Sequence, residues 1–244
     1  MNTDNLIIVC YPPNTGGKFL INCLGLSNNA FFQDTNLIKM QLNNRFTPTD
    51  KINCLSQKLS EVTTHWTDLD FSWLSMFNIS RDQVQVYISL LPSIELFTTD
   101  LLQNETYNIL QKQDRYFFFE SHNDLGIMPK LIQFWPNAKI ILFNNHYEKF
   151  LKFRNAHDAY DRMLVNDTTI FPLEKIYRAE WVPIDINDAI MWSADDYLNE
   201  DVFLTQIELL YNKLKLTDFN KEYIRTYYRS WINKLNQLSS NLHK

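Results

Sequence analysis

Cysteine, glycine, positive charge and long apolar runs are all scarce in this chain, and each scarcity narrows what it can be. The three cysteines, Cys10, Cys23 and Cys54, are an odd number with no CxxC or Cys/His spacing. That pattern argues against a disulfide framework or a zinc site and fits a reducing cytosol. His65, His146 and His157 have no metal-ligand spacing either. No stretch approaches the length of a membrane span, and the N-terminus MNTDNLIIVC lacks the basic region of a signal peptide. The expected location is therefore cytoplasmic, away from membranes, and the sequons at Asn78, Asn104 and Asn166 are chance matches. A net charge of -5 argues against a general nucleic-acid binder, which needs a clustered excess of Lys and Arg. The four glycines stand at positions 16, 17, 25 and 126. Two of them are adjacent, which singles out the loop that holds them.

What is present is ample material for a core, with 45% apolar residues. Leu6 to Tyr11 is a continuous apolar run, as in a strand buried on both faces. A loop follows, and then Phe19 to Leu26 has a helical pattern. Helical pieces are expected around Asp50 to Thr63 and Leu69 to Phe77, with a strand at Val84 to Leu91 and a helix at Glu95 to Leu110. Further on come a strand at Tyr116 to Phe119, a short helix at Met128 to Trp135, a strand at Lys139 to Phe143 and a helix at Tyr147 to Ala156. A last strand at Ala189 to Trp192 precedes two amphipathic helices, Asp201 to Leu214 and Asn220 to Leu238. Strands alternating with helices predict an α/β fold with a parallel central sheet covered on both faces. No repeat, low-complexity tract or flexible linker interrupts the chain, so residues 1–244 read as a single domain.

The loop after the first strand, Pro12-Pro13-Asn14-Thr15-Gly16-Gly17-Lys18-Phe19, has the composition of an anion site. Glycines let successive N–H groups converge without Cβ clashes, a helix N-terminus adds partial positive charge, and Lys18 adds a full one. The spacing is that of a P-loop with two changes: Pro12 for the first Gly and Phe19 for the magnesium-binding Ser/Thr. The plainer alternative is a tight strand-to-helix turn carrying a Lys. Arg225 and Arg229 lie four apart on one helix face, which in itself describes a solvated basic face. Tyr223, Tyr227, Tyr228 and Trp231 read as helix packing.

Taken in order, several segments resemble the sulfotransferase family, whose first strand runs into a P-K-S-G-T-T-W-L loop. Pro13 to Leu20 aligns with that loop without a gap. Glu120-Ser121-His122 and Met128-Pro129-Lys130-Leu131 are similar to the family's K-T-H and L-P-x-L segments. Pro136 to Ile141 is similar to P-x-A-K-I-I. Trp192 to Leu198 and Lys213 to Leu216 look like a divergent Y-E-D-L and L-G-L region. The resemblance implies a three-layer α/β/α sandwich and sulfuryl transfer from 3'-phosphoadenosine-5'-phosphosulfate, without a metal, to a small-molecule or carbohydrate acceptor. It places donor contacts at Asn14, Thr15, Gly16, Gly17, Lys18, Phe19 and Asn145, and catalytic roles on Lys18 and on His122 as general base. The chain also departs from the family. The loop Lys is Asn14, and the Arg and Ser that hold the 3'-phosphate stand as Asn145 and Phe153. The C-terminal R-K-G-x-x-G motif is absent, which leaves Arg154, Arg225 or Arg229 as substitute cations. Two other readings stay open: a kinase-like nucleotide enzyme using Glu120 for magnesium, and a binding module that has lost the donor site.

Overall fold

The computed structural model describes residues 5–12, 15–32, 41, 47, 49–54, 114–121, 128–144, 148–153 and 186–241. In chain order these give β1 (Leu6–Cys10), α1 (Gly17–Gly25), β2 (Phe117–Ser121), α2 (Met128–Phe134), β3 (Lys139–Phe143) and β4 (Ile190–Trp192). A 3₁₀ turn (Ala194–Leu198), α3 (Glu200–Leu214) and α4 (Lys221–Asn241) complete the list. The expected strand at Val84 to Leu91 and the helices at Leu69 to Phe77 and Glu95 to Leu110 lie outside the described residues. Of the helix expected at Tyr147 to Ala156, only 148–153 are described, and 151–153 are helical.

The four strands form one sheet in the order β2-β1-β3-β4, and every pairing is parallel. β1 lies inside the sheet with all five residues buried, which is why its sequence is an unbroken apolar run instead of an alternating one. Paired residues share a face, so the register sorts the core. Ile7, Val9, Phe118, Ile141, Phe143 and Trp192 belong to one buried cluster together with α1, α3 and α4. Leu6, Ile8 and Cys10 point the other way, beside Phe117, Phe119 and Leu142. There Trp135, one residue past α2, sets its ring edge-on against Phe119 at 5.1 Å. Helical segments thus cover both faces, as an α/β fold requires.

α1 is buried at every position except Lys18, because it is held between the sheet and the two C-terminal helices. α3 presents Phe203, Leu204, Ile207, Leu210, Tyr211 and Leu214 inward at three- and four-residue spacing. Its start is fixed by Asn199, whose side chain accepts from the N–H groups of Asp201 and Val202. Capping of this kind contributes about 1 kcal/mol. α4 contributes Ile224, Tyr227, Tyr228, Trp231 and Leu235 to the same core. Tyr223 is about half exposed, so it does not share in the packing expected of this aromatic set. The reason is phase: it falls on the outward side of a helix whose inward stripe runs through 224, 227, 228 and 231. Among the described residues no helix is long and apolar enough to cross a membrane.

Candidate functional site

The glycine loop emerges at the carboxyl end of β1, between the ends of β2 and β3. Cys10 is in register with Ser121 on one side and Leu142 on the other. Among the described strands β2 lies on one side of β1 and β3 with β4 on the other, so the chain changes direction at this point. Open parallel sheets bind ligands at such a switch point.

Local geometry closes the loop. Strand β1 ends at Cys10, one residue earlier than the apolar run suggests, and Tyr11 continues the face of Ile7 and Val9 to pack with Phe143 at 5.6 Å. Thr15 is fully buried and donates its hydroxyl to the Pro12 carbonyl at 2.6 Å. Gly16 has φ +85°, a left-handed conformation in which a Cβ is strained. α1 begins at Gly17, with the N–H of Leu20 reaching the Gly16 carbonyl at 3.1 Å. Gly16 at the N-cap offers no side chain to cap this end, and the first turn holds no acidic residue. The leading N–H groups of a helix have no partner within the helix, and here the macrodipole adds its partial positive charge.

Aromatic rings crowd the loop from the opposite sides. A Cβ on Gly17 would fall 2.2 Å from the Tyr11 ring, and one on Gly16 would meet Tyr197 at 2.8 Å and Trp231 at 3.3 Å. Both glycines are therefore required by packing, whatever the loop binds. The Tyr197 hydroxyl donates to the Gly16 carbonyl at 3.0 Å, and burial pushes its pKa well above the ordinary phenol value, so the donor proton stays. The backbone carbonyl of Tyr197 in turn accepts from the hydroxyl of Tyr228 at 2.7 Å.

Phe19, the residue in the magnesium-hydroxyl position of the P-loop spacing, points into the helical core. Its ring stacks on Trp231 with centroids 4.0 Å apart and planes 7° from parallel, with Tyr197, Phe203 and Tyr227 around it. Full burial of such a side chain contributes about 1.5–3 kcal/mol, so this position serves packing first. Phe153, where the family carries a Ser, is likewise buried, against Phe150 at 5.5 Å.

Of the residues predicted for the site, the structure brings Thr15, Gly16, Gly17, Lys18 and Phe19 together at the start of α1. Asn14, His122, Asn145 and Arg154 lie outside the described residues; Ser121, just before His122, ends β2 beside Cys10. Arg225 and Arg229 are not spare cations. Both bind Glu200 at the head of α3, Arg229 through two nitrogens at 2.7 Å and Arg225 at 3.0 Å, and Arg225 also pairs with Glu222. Hydrogen bonding from Arg229 holds the Glu200 carboxyl below its usual pKa. The basic face read from the helix is an inter-helix ion cluster, and its acidic partner sits in another element, where helical spacing could not reveal it. Among the described residues no group of His, Cys, Asp and Glu is placed to hold a metal ion.

Sequence reasoning missed Tyr11 and Tyr197 as the walls of the loop. The only local signal was the pair of glycines itself, since two adjacent residues without side chains leave room that something must fill. No family model, curated protein or solved structure matches the chain.

Proposed function

We propose that the Thr15–Phe19 turn is an anion site, and that the chain is a sulfotransferase-like enzyme taking 3'-phosphoadenosine-5'-phosphosulfate as donor. One observation carries this reading: the glycine-led N-terminus of α1 opens at the carboxyl end of the inner strand of a parallel sheet, at the switch point among the described strands. Lys18 and the turn's N–H groups would offset negative charge on the moving sulfuryl group and on the departing phosphate. The acceptor's oxygen bonds to sulfur as the bond from sulfur to the donor's 5'-phosphate oxygen breaks. The proton of the acceptor hydroxyl passes to His122 as general base. The engagement of Phe19 with Trp231 supports a site that works without the magnesium ligand of a kinase-like loop.

The test is calorimetric titration with adenosine 3',5'-bisphosphate, adenosine 5'-phosphate and ATP, each with and without EDTA. Metal-independent binding that weakens in Lys18→Ala is expected. In a sulfuryl-transfer assay, His122→Ala should keep donor binding and lose about a hundredfold or more in turnover. Binding of ATP that vanishes on chelation would turn the assignment to a kinase-like enzyme. If no adenosine nucleotide binds at millimolar concentration, the enzymatic reading fails.

A second reading, a binding module without catalysis, is favoured by a specific observation. Arg225 and Arg229, the candidate substitutes for the missing 3'-phosphate anchors, are both committed to Glu200. It predicts equal affinity for 3'-phosphorylated and 3'-dephosphorylated nucleotides, and no turnover.

A further inference from the structure

Among the described residues one buried side-chain donor lacks a partner, and it lies behind the glycine turn. The indole Nε1 of Trp192, the last residue of β4, makes no hydrogen bond, although its side chain is buried in the core. Native chains seldom keep such a donor without a use. The indole packs on Tyr197, with ring centroids 5.8 Å apart. Burial drives the Tyr197 pKa well above the ordinary phenol value, while the Trp192 N–H pulls the other way. A donor acts in that sense from the side of the hydroxyl oxygen. The indole N–H therefore faces that oxygen without reaching hydrogen-bond geometry.

Tyr197 carries the line onward. Its hydroxyl donates to the Gly16 carbonyl at 3.0 Å, and its place is fixed. The side chain is wholly buried among Phe19, Phe150 and Trp231, and its backbone carbonyl accepts from the Tyr228 hydroxyl. The Gly16 carbonyl and the Gly17 N–H belong to one peptide plane, and in a trans peptide they point in opposite directions. The carbonyl oxygen is held from two sides, by Tyr197 and by the Leu20 N–H at 3.1 Å. That turns the Gly17 N–H away from the aromatic core and out of the leading end of α1. A hydrogen bond received at the oxygen also polarises the peptide, which makes its N–H a stronger donor. Indole N–H, phenol O–H and peptide thus stand head to tail.

We propose that Trp192 and Tyr197 are positioning residues for the anion site, a buried line of donors that orients and polarises the Gly17 N–H toward the phosphate of a bound nucleotide. The inference rests on the anion-site reading of the Thr15–Phe19 turn and adds the part played by the core behind it. Neither side chain touches the ligand. A phosphate oxygen that accepts from the Gly17 N–H polarises the whole line. The contact from the indole N–H to the Tyr197 oxygen then tightens, which gives the unpaired donor its partner.

Calorimetric titration with adenosine 3',5'-bisphosphate, with adenosine as the control that lacks phosphate, tests the line. Tyr197→Phe keeps the ring and removes the hydroxyl, and should raise the dissociation constant about threefold to tenfold. Trp192→Phe acts one link further back and should raise it by about twofold. A hydroxyl that only held the fold together would lower the unfolding midpoint and leave the affinity as it is. A spectroscopic signature comes from the indole itself. The ¹H–¹⁵N signal of Trp192, identified by its loss in Trp192→Phe, should move downfield as the bisphosphate binds the unmodified chain. It should stay in place with adenosine. Bisphosphate binding that Tyr197→Phe leaves unchanged, or an indole signal that does not move or that adenosine moves as far, overturns the line and leaves the anion site standing. If the bisphosphate does not bind the unmodified chain, the anion site and the line fall together.

Discussion

The two ends of α1 are finished in opposite ways. At its carboxyl end the chain supplies its own donors in excess: the Lys51 ammonium, a Leu26 N–H reaching the Cys23 carbonyl, and the Tyr211 hydroxyl on the same Cys23 carbonyl at 2.7 Å. At its amino end the N-cap is a glycine with no side chain to bond the leading N–H groups, and among the described residues the neighbours that approach its glycines are rings. A helix buried this deeply is expected to have both ends satisfied. The asymmetry teaches that the amino end is shaped by ring packing where the carboxyl end is shaped by polar contacts. It is at the ring-packed end that the anion site is proposed.

The strongest way to break the comparison is to remove the ring that holds the amino end. Trp231→Ala deletes the partner of Phe19 and one wall of Gly16, and should cost about 3–5 kcal/mol, the usual range for an aromatic-to-alanine change in a core. Chemical denaturation measures it; a loss under 1 kcal/mol would mean that α4 is not what holds the loop. Next in size is the pH response of the carboxyl end. Unfolded, Lys51 keeps its proton to about 10.5, whereas folded it gives it up near 7. Below pH 7 both states are charged and the burial penalty is present in full. Between those values the unfolded chain holds more protons, so stability should rise with pH by roughly 1.4 kcal/mol per unit. The difference between wild type and Lys51→Met across pH 7 to 9 isolates that contribution, and a stability that falls in this window contradicts it.

A subtler probe is Gly17→Ala. Alanine favours helices, but its Cβ would sit inside the Tyr11 ring. A net loss of about 1–3 kcal/mol is expected, as for other overpacked cores, and a gain in stability would show that Tyr11 yields easily. The smallest effect belongs to Tyr197→Phe. The Gly16 carbonyl keeps its bond from Leu20, so only about 1 kcal/mol should be lost. Thermal unfolding would read it, and a loss comparable to that of Trp231→Ala would give the hydroxyl a larger part than the stacked ring.

What could be read from the chain depended on how local the cause was. β1, β3 and the two C-terminal helices followed from apolar runs and helical spacing, since burial on a face repeats with the element's own period. Boundaries moved where one side chain decided them. Asn199 started α3 at Glu200, one residue before the apolar spacing begins. The glycine loop was visible as a composition; its ring walls were not, because Tyr197 and Trp231 arrive from distant elements. Lys51 was invisible for a different reason. A lysine on a helix ordinarily reaches water, and nothing in its neighbours announces the Gly25, Ser27 and Ala30 carbonyls waiting for it. The pairing of Arg225 and Arg229 with Glu200 was hidden in the same way.

The contact between α1 and α4 has a consequence for the order of events during synthesis. Asn22 meets the Tyr227 hydroxyl across 205 positions of chain, and Phe19 meets Trp231 over a similar span. A nascent chain leaving the ribosome would form β1 and α1 early but hold their apolar surface uncovered until the last helix emerged. Contacts of such long range slow folding, and the waiting surface is the kind that aggregates or recruits chaperones. Expression of fragments ending before Tyr197 should therefore give insoluble product, whereas supplying residues 186–241 as a separate piece should rescue it.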